Sequence, residues 1–91
     1  MTFDWDEAKA EANLTKHGVS FDEAKTVFGD PFSDAFDDPD HSHDEERRVI
    51  IGATRAGKLL FVSFAERGDT IRIISAREAT HREKQQHENQ P

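Results

Sequence analysis

The residues best equipped for chemistry are three arginines in the second half of the chain. Arg72 alternates with Ile71 and Ile73, so a strand there turns it to the opposite sheet face, which it shares with Ile74. Arg67 sits in the tight turn before Gly68. Arg77 falls in the first turn of a predicted helix, where the macrodipole disfavours a cation and calls for a nearby carboxylate or phosphate. A sheet face, its turn and the next helix start can converge in space. Three guanidiniums there suit a phosphodiester and the charge it develops in a transition state. Taken singly, each arginine has a structural alternative in surface pairing with Glu66, Asp69 or Glu78.

Other side chains offer less specific chemistry. Imidazole is the side chain best suited to proton transfer at physiological pH, which makes His17 a candidate general acid or base. It also suits a helix C-terminus beside Gly18. His41-x-His43, with Asp38, Asp40 and Asp44 around it, offers imidazole and carboxylate to a metal. The spacing is not a zinc pattern, and a polar loop explains it better. Glu45-Glu46-Arg47-Arg48 offers a catalytic carboxylate and cations for RNA, or simply a charged strand entry. Trp5 is either a stacking platform for a base or a packing anchor for a small core.

The elements that must position these residues follow from pattern. Thr2–Trp5 reads as a short strand and Asp6–His17 as a helix stopped by Gly18. Ser20-Phe21-Asp22-Glu23 is a capping box, and Phe21, Ala24, Val27 and Phe28 form one apolar helical face. A strand is expected over Phe32–Phe36, then a polar loop. Three Ile/Val/Phe-rich runs follow, Arg48–Ala53, Leu59–Ala65 and Thr70–Ser75, with Gly57 and Gly68 in the turns. Ser75-Ala76-Arg77-Glu78 reads as a second capping box opening a last helix, which is polar beyond Ala79. The order β-α-α-β-β-β-β-α predicts an α+β domain with helices against an antiparallel sheet. One domain spanning 1–91 is expected, with residues 84–91 a polar, frayed end.

Composition narrows the classes further. The 91 residues contain no Cys and no Tyr, which excludes disulfides, thiol nucleophiles and a phenolic acid or base. No apolar run approaches the ~18 residues of a spanning helix, and Met1-Thr2-Phe3-Asp4 does not read as a signal peptide. A cytoplasmic protein without membrane contact is the expectation. Leu, Ile, Val and Phe total 19 residues, a thin core that predicts marginal stability or stability gained from a partner. The net charge is −7, divided unevenly. Residues 1–46 hold 14 Asp/Glu against 3 Lys/Arg, and residues 47–91 hold 5 against 9, so only the second half can present a basic surface.

Several stretches together resemble the BrnT toxin family. They are Phe3-Asp4-Trp5-Asp6, Lys9, Asn13, Lys16-His17-Gly18-Val19-Ser20-Phe21, Glu23-Ala24, Val27-Phe28 and Asp30-Pro31. Asp37-Asp38, His41-Ser42, Glu45-Glu46-Arg47, Gly52, Glu66-Arg67-Gly68 and Arg72-Ile73-Ile74-Ser75-Ala76-Arg77 continue the match in order to about residue 83. The resemblance implies a RelE-like fold and an RNA-cleaving toxin of a type II toxin–antitoxin module. It further implies a BrnA antitoxin, a ribbon-helix-helix protein through which the complex reaches operator DNA. The last helix of the family often carries a Tyr near the position of His87 here.

On this reading the chain is a metal-independent endoribonuclease without a cofactor. RNA supplies its own nucleophile, the 2′-OH, and the protein must deprotonate it, neutralise the phosphorane and protonate the leaving oxygen. Charge stabilisation falls to Arg67, Arg72 and Arg77, the base to His17 or Glu46, and RNA contacts to Lys9, Lys16, Trp5 and Arg47. The rival readings are an antitoxin-binding co-repressor with weak or no catalysis, and a metal-dependent hydrolase built on His41 and His43.

Overall fold

Three short polar side chains set where the helices begin. Asp6 accepts the backbone N–H groups of Ala8 and Lys9, and Ser20 accepts that of Glu23 at 3.0 Å. Thr80 and Glu83 form a complete reciprocal capping box. The computed structural model describes residues 1–38 and 47–89. Its elements are β1 (Thr2–Asp4), α1 (Glu7–His17), α2 (Phe21–Lys25), a 3-10 turn (Thr26–Gly29), β2 (Asp34–Asp37), β3 (Arg47–Ala53), β4 (Leu59–Arg67), β5 (Thr70–Glu78) and α3 (His81–Glu88). Gly18 ends α1 at φ +70°, a left-handed cap that lets its N–H reach Leu14 O at 2.8 Å.

The five strands lie in the order β1-β5-β4-β3-β2. The predicted α+β class holds, and the predicted meander is antiparallel from β2 to β5. At one edge β1 joins β5 in parallel, so the sheet is mixed. Val19, Phe21, Ala24 and Val27 bury one face of this sheet against Ile50, Val62, Phe64 and Ile73. Phe28 bridges Phe3 and Phe64 edge-on at 5.2 and 5.0 Å. Helix α3 lies across the other face.

The expected helix start at Ser75 is corrected by the structure. Residues 75–78 stay in β5, paired with β4 as far as Leu60↔Glu78, and the helix opens five residues later behind Thr80. Both Ser75-x-x-Glu78 and Thr80-x-x-Glu83 fit the capping pattern. The ladder decides between them, because it bonds the backbone that a helix start would leave unsatisfied. The outer side of β5 is completed by a side chain. Asn13 accepts the Ala76 N–H at 3.0 Å and donates to Ala76 O at 2.8 Å and to Val19 O at 2.9 Å. It thereby serves Ala76 as a neighbouring strand would, beyond the point where β1 stops.

The expected strand at Phe32–Phe36 begins two residues later, at Asp34. Asp30 shifts it: its Oδ1 accepts the Phe32 N–H at 2.9 Å and its carbonyl the Ser33 N–H at 3.1 Å, closing a turn first. Its Oδ2 accepts the Ala53 N–H at 2.8 Å and ties that turn to β3. Gly52 makes the approach possible, since a Cβ there would stand 2.8 Å from Ser33 Cβ and 3.0 Å from Val27 Cγ1.

Candidate active site

A β-bulge assembles the candidate site. Ser63 pairs with Ser75 but Phe64 pairs with Ile73, so Ile74 is an extra residue in β5. Arg77 is five positions after Arg72, an odd offset that in a regular strand puts the two on opposite faces. The bulge reverses the alternation. Ile71, Ile73 and Ala76 all enter the core, and Arg72, Ser75 and Arg77 all face the side that carries α3.

Register then maps that face into cross-strand rows. Arg67 and Thr70 form the first, at the hairpin end. Arg47, Ala65 and Arg72 form the second, continued on β1 by Asp4. Phe36, Val49, Ser63 and Ser75 form the third, and Asp34, Ile51, Phe61 and Arg77 the fourth. The three arginines of the sequence reading therefore share a face without meeting at one point. Arg67 stands one row from Arg72, about 7 Å along the strand, and Arg77 two rows beyond, about 13 Å. Arg77 is a strand residue, so its placement owes nothing to a helix dipole.

Between these rows lies a cavity of about 470 Å³, lined by Arg47 and Arg77 at its sides, Ser63 and Ser75 on its floor, and Phe36 and Phe61. The Arg77 guanidinium lies 4.1 Å above the Phe61 ring. Its Nη1 donates to Glu83 Oε1 at 2.8 Å and its Nη2 to Glu83 Oε2 at 3.0 Å. That pairing pulls the Glu83 carboxyl below its ordinary range, helped by the Thr80 N–H, and pushes the Arg77 guanidinium up. At the other end of α3, His87 Nδ1 stands 2.8 Å from Asp34 Oδ2. Helix α3 buries no residue of its own. It is a polar strap across the fourth row, with an ion pair at one end and a histidine–carboxylate contact at the other.

The other described candidates do not line this groove. Arg72 is paired with Asp4 at 3.3 Å. Trp5 packs edge-on against Phe21 at 5.9 Å on the core face, which is the anchoring alternative. Lys9 and Lys16 are exposed on α1, and His17 closes that helix, so all three belong to the helical layer. Glu46 and the pair His41 and His43 lie outside the described residues. Among the described residues no cluster of His, Asp and Glu is arranged to hold a metal ion. No helix among them is long and apolar enough to cross a membrane. Sequence reasoning missed Glu83, Phe61, Ser63 and Ser75. Thr80-x-x-Glu83 was a visible signal for the first; the others are placed by register, which no local pattern reveals.

A family profile described as ribonuclease toxin, BrnT, of type II toxin-antitoxin system matches residues 5–83. The fold is similar to the crystal structure of the Brucella abortus ribonuclease toxin, BrnT, with a TM-score of 0.70 and 25% sequence identity, over 89% of this chain and 99% of that one. No curated protein sequence matches.

Proposed function

The chain belongs to the BrnT family of type II toxin–antitoxin ribonucleases, and on that premise we propose that it cleaves RNA without a metal ion, in the groove between Arg47 and Arg77. The observation that carries this reading is the bulge at Ile74. It brings Arg67, Arg72 and Arg77 onto one face, with the serine pair Ser63 and Ser75 among them. A single strand laid along β5 passes the first cations as phosphate ligands and reaches the Arg77 end for cleavage.

RNA brings the 2′-OH, so the protein needs a base, an acid and cations. Arg77 is assigned the phosphorane charge, since Phe61 beneath it and Glu83 beside it fix the plane of its guanidinium. Arg67, Arg72 and Arg47 are assigned backbone phosphates. The base is Glu46 or His17. Glu46 adjoins Arg47, a groove residue, in the chain, whereas His17 closes α1 in the other layer, and this favours Glu46. A RelE-like plan, with helices on one sheet face and cleavage on the other, is part of this reading. So are inhibition of translation, a cytoplasmic site of action, and a BrnA-like ribbon-helix-helix antitoxin through which the chain reaches operator DNA. An antitoxin-binding co-repressor without catalysis is the second reading, and the occupation of Arg77 by Glu83 is what favours it.

The test is cleavage of total RNA in excess EDTA by the purified chain and by Arg77→Gln. Cleavage by the first with loss of at least about 100-fold in the second is expected for an arginine stabilising the transition state. Equal cleavage by both removes Arg77 from the mechanism. No cleavage by either, with tight antitoxin binding, leaves the co-repressor.

A further inference from the structure

The flank of the groove opposite Arg77 is formed by β2 and the residue just past it. Alternation along β2 brings Asp34, Phe36 and Asp38 to the arginine face, and Phe36 and Asp38 both line the cavity. Carried one residue on, the β2–β3 register sets Asp38 opposite Arg47. Asp38 is 8% exposed. Binding a phosphate backbone does not call for a buried carboxylate in the wall, because like charges repel. Such a group suits a part of the RNA that donates hydrogen bonds.

Two aromatic rings line the same cavity, and one is already covered. Phe61 carries the Arg77 guanidinium over its face at 4.1 Å. Phe36 meets Phe61 at 70°, with centroids 6.5 Å apart, and is itself 38% exposed. An exposed ring beside phosphate-binding cations is a platform on which single-stranded RNA stacks a base. The cavity of about 470 Å³ has the size of a small-molecule pocket, room for one nucleotide.

Bases differ in what they offer a carboxylate, which only accepts when ionised. The Watson–Crick edge of guanine sets two donors side by side, N1–H and the N2 amino group, for a two-point contact. Adenine and cytosine set one amino group next to a ring-nitrogen acceptor, and uracil sets one N–H between two carbonyls. Those acceptors would meet the carboxylate lone pair against lone pair. Ser63 and Ser75 on the floor donate or accept equally, so Asp38 decides.

We propose that the groove holds a guanine of the RNA. The base stacks on Phe36, its Watson–Crick edge donates to the Asp38 carboxylate, and the adjoining phosphate lies on the Arg77 side. A carboxylate has about four acceptor sites, so a cation opposite in the register does not exhaust it. The inference rests on the nuclease reading and goes beyond it by naming the base and the residues that select it.

The experiment uses four fluorescein-labelled uridine hexamers with G, A, C or U at one internal position. Fully 2′-O-methylated versions, which lack the nucleophile, give affinities by anisotropy, and unmethylated versions give the cleavage site. The wild-type chain is expected to bind the G hexamer about 10-fold tighter than the others and to cut beside G. Asp38→Asn should bring the four affinities within about twofold. Phe36→Leu should weaken all four about 10-fold and keep the preference for G. Each ratio is read on one preparation, so a smaller folded fraction does not imitate a lost preference. Equal affinities in the wild type, a preference for another base, or a G preference that survives Asp38→Asn overturns the proposal and leaves the nuclease reading standing. So does unchanged affinity in Phe36→Leu. A chain that cuts no RNA, yet loses its G preference in Asp38→Asn, refutes the nuclease reading and upholds the base site. A chain that binds none of the hexamers overturns both.

Discussion

The Arg77 guanidinium and the Glu83 carboxylate meet as two forks, at 2.8 and 3.0 Å. The same carboxylate accepts the Thr80 N–H at 2.8 Å. One side chain therefore caps α3, pins that helix to β5 and occupies the cation assigned to the phosphorane. A phosphate arriving at Arg77 competes with Glu83 for the same donors, and whatever loosens α3 makes the arginine more available.

Replacing Glu83 by Gln separates these roles. The neutral amide keeps the size of the side chain and loses the charge-assisted fork. The expected cost is about 1 kcal/mol of stability, since the pair is only partly buried. Affinity for a short single-stranded RNA should rise several-fold as competition disappears, read by fluorescence anisotropy. Weaker RNA binding in Glu83→Gln, with the fold intact, shows that Glu83 positions Arg77 rather than competing for it.

The fold was readable where local chemistry decides it and obscure where pairing decides it. Asp6, Ser20 and Gly18 bound their helices at the residues their types imply. The three Ile/Val/Phe-rich runs are strands β3 to β5. Residues 75–78 were misread because their side chains fit a helix start while the ladder with β4 and the Asn13 side chain claim their backbone. The shared face of the arginines was half legible. Alternation placed Arg72, but only the extra residue Ile74 brings Arg77 to the same side. Glu46, proposed above as the base, lies outside the described residues, and its candidacy comes from its place beside Arg47 in the sequence.

Asn13 is the buried polar residue on which the β5 edge depends. Asn13→Leu removes its three hydrogen bonds and leaves the Ala76 N–H and two carbonyls unpaired in a buried place. A loss of about 3 kcal/mol is expected in urea unfolding. In a chain with so small a core that is a large share of the total, and RNA cleavage should fall in step with the folded fraction. A Leu variant as stable as the wild type shows that water or a shifted β1 takes over these groups.

Acid should release α3 before it unfolds the sheet. Glu83 and Asp30 both have carboxyls held below their ordinary range, Glu83 by Arg77 and Asp30 by the Ala53 and Phe32 N–H groups. A depressed carboxyl contributes stability that is present above its unfolded pKa and is lost as pH falls through its folded value. The window therefore opens at the ordinary carboxylate range and extends below it. Hydrogen exchange of α3 measured down the acid range should rise first in the wild type, and should lose this pH dependence in Glu83→Gln. Parallel curves for the two proteins remove Glu83 as the titrating latch.

The rows on the arginine face predict how RNA binding responds to salt. Each phosphate neutralised on a single strand contributes about −0.7 to the slope of log affinity against log salt. Arg47 and Arg72 share one row and Arg67 stands in the adjacent one, so these three are assigned phosphates. Arg47→Ala and Arg72→Ala should each flatten the slope by about 0.7 while leaving the cleavage rate at saturating RNA nearly unchanged. Arg72→Ala also frees Asp4, which adds local negative charge and makes its loss of affinity the larger of the two. Arg77→Gln should do the reverse, with a modest change in slope and a large loss of rate. Lys9→Ala and Lys16→Ala belong to the helical layer, and an unchanged slope in both places the RNA path on the arginine face alone. A slope that flattens in the lysine variants and not in Arg47→Ala or Arg72→Ala moves the RNA to α1 and overturns the groove as its binding site.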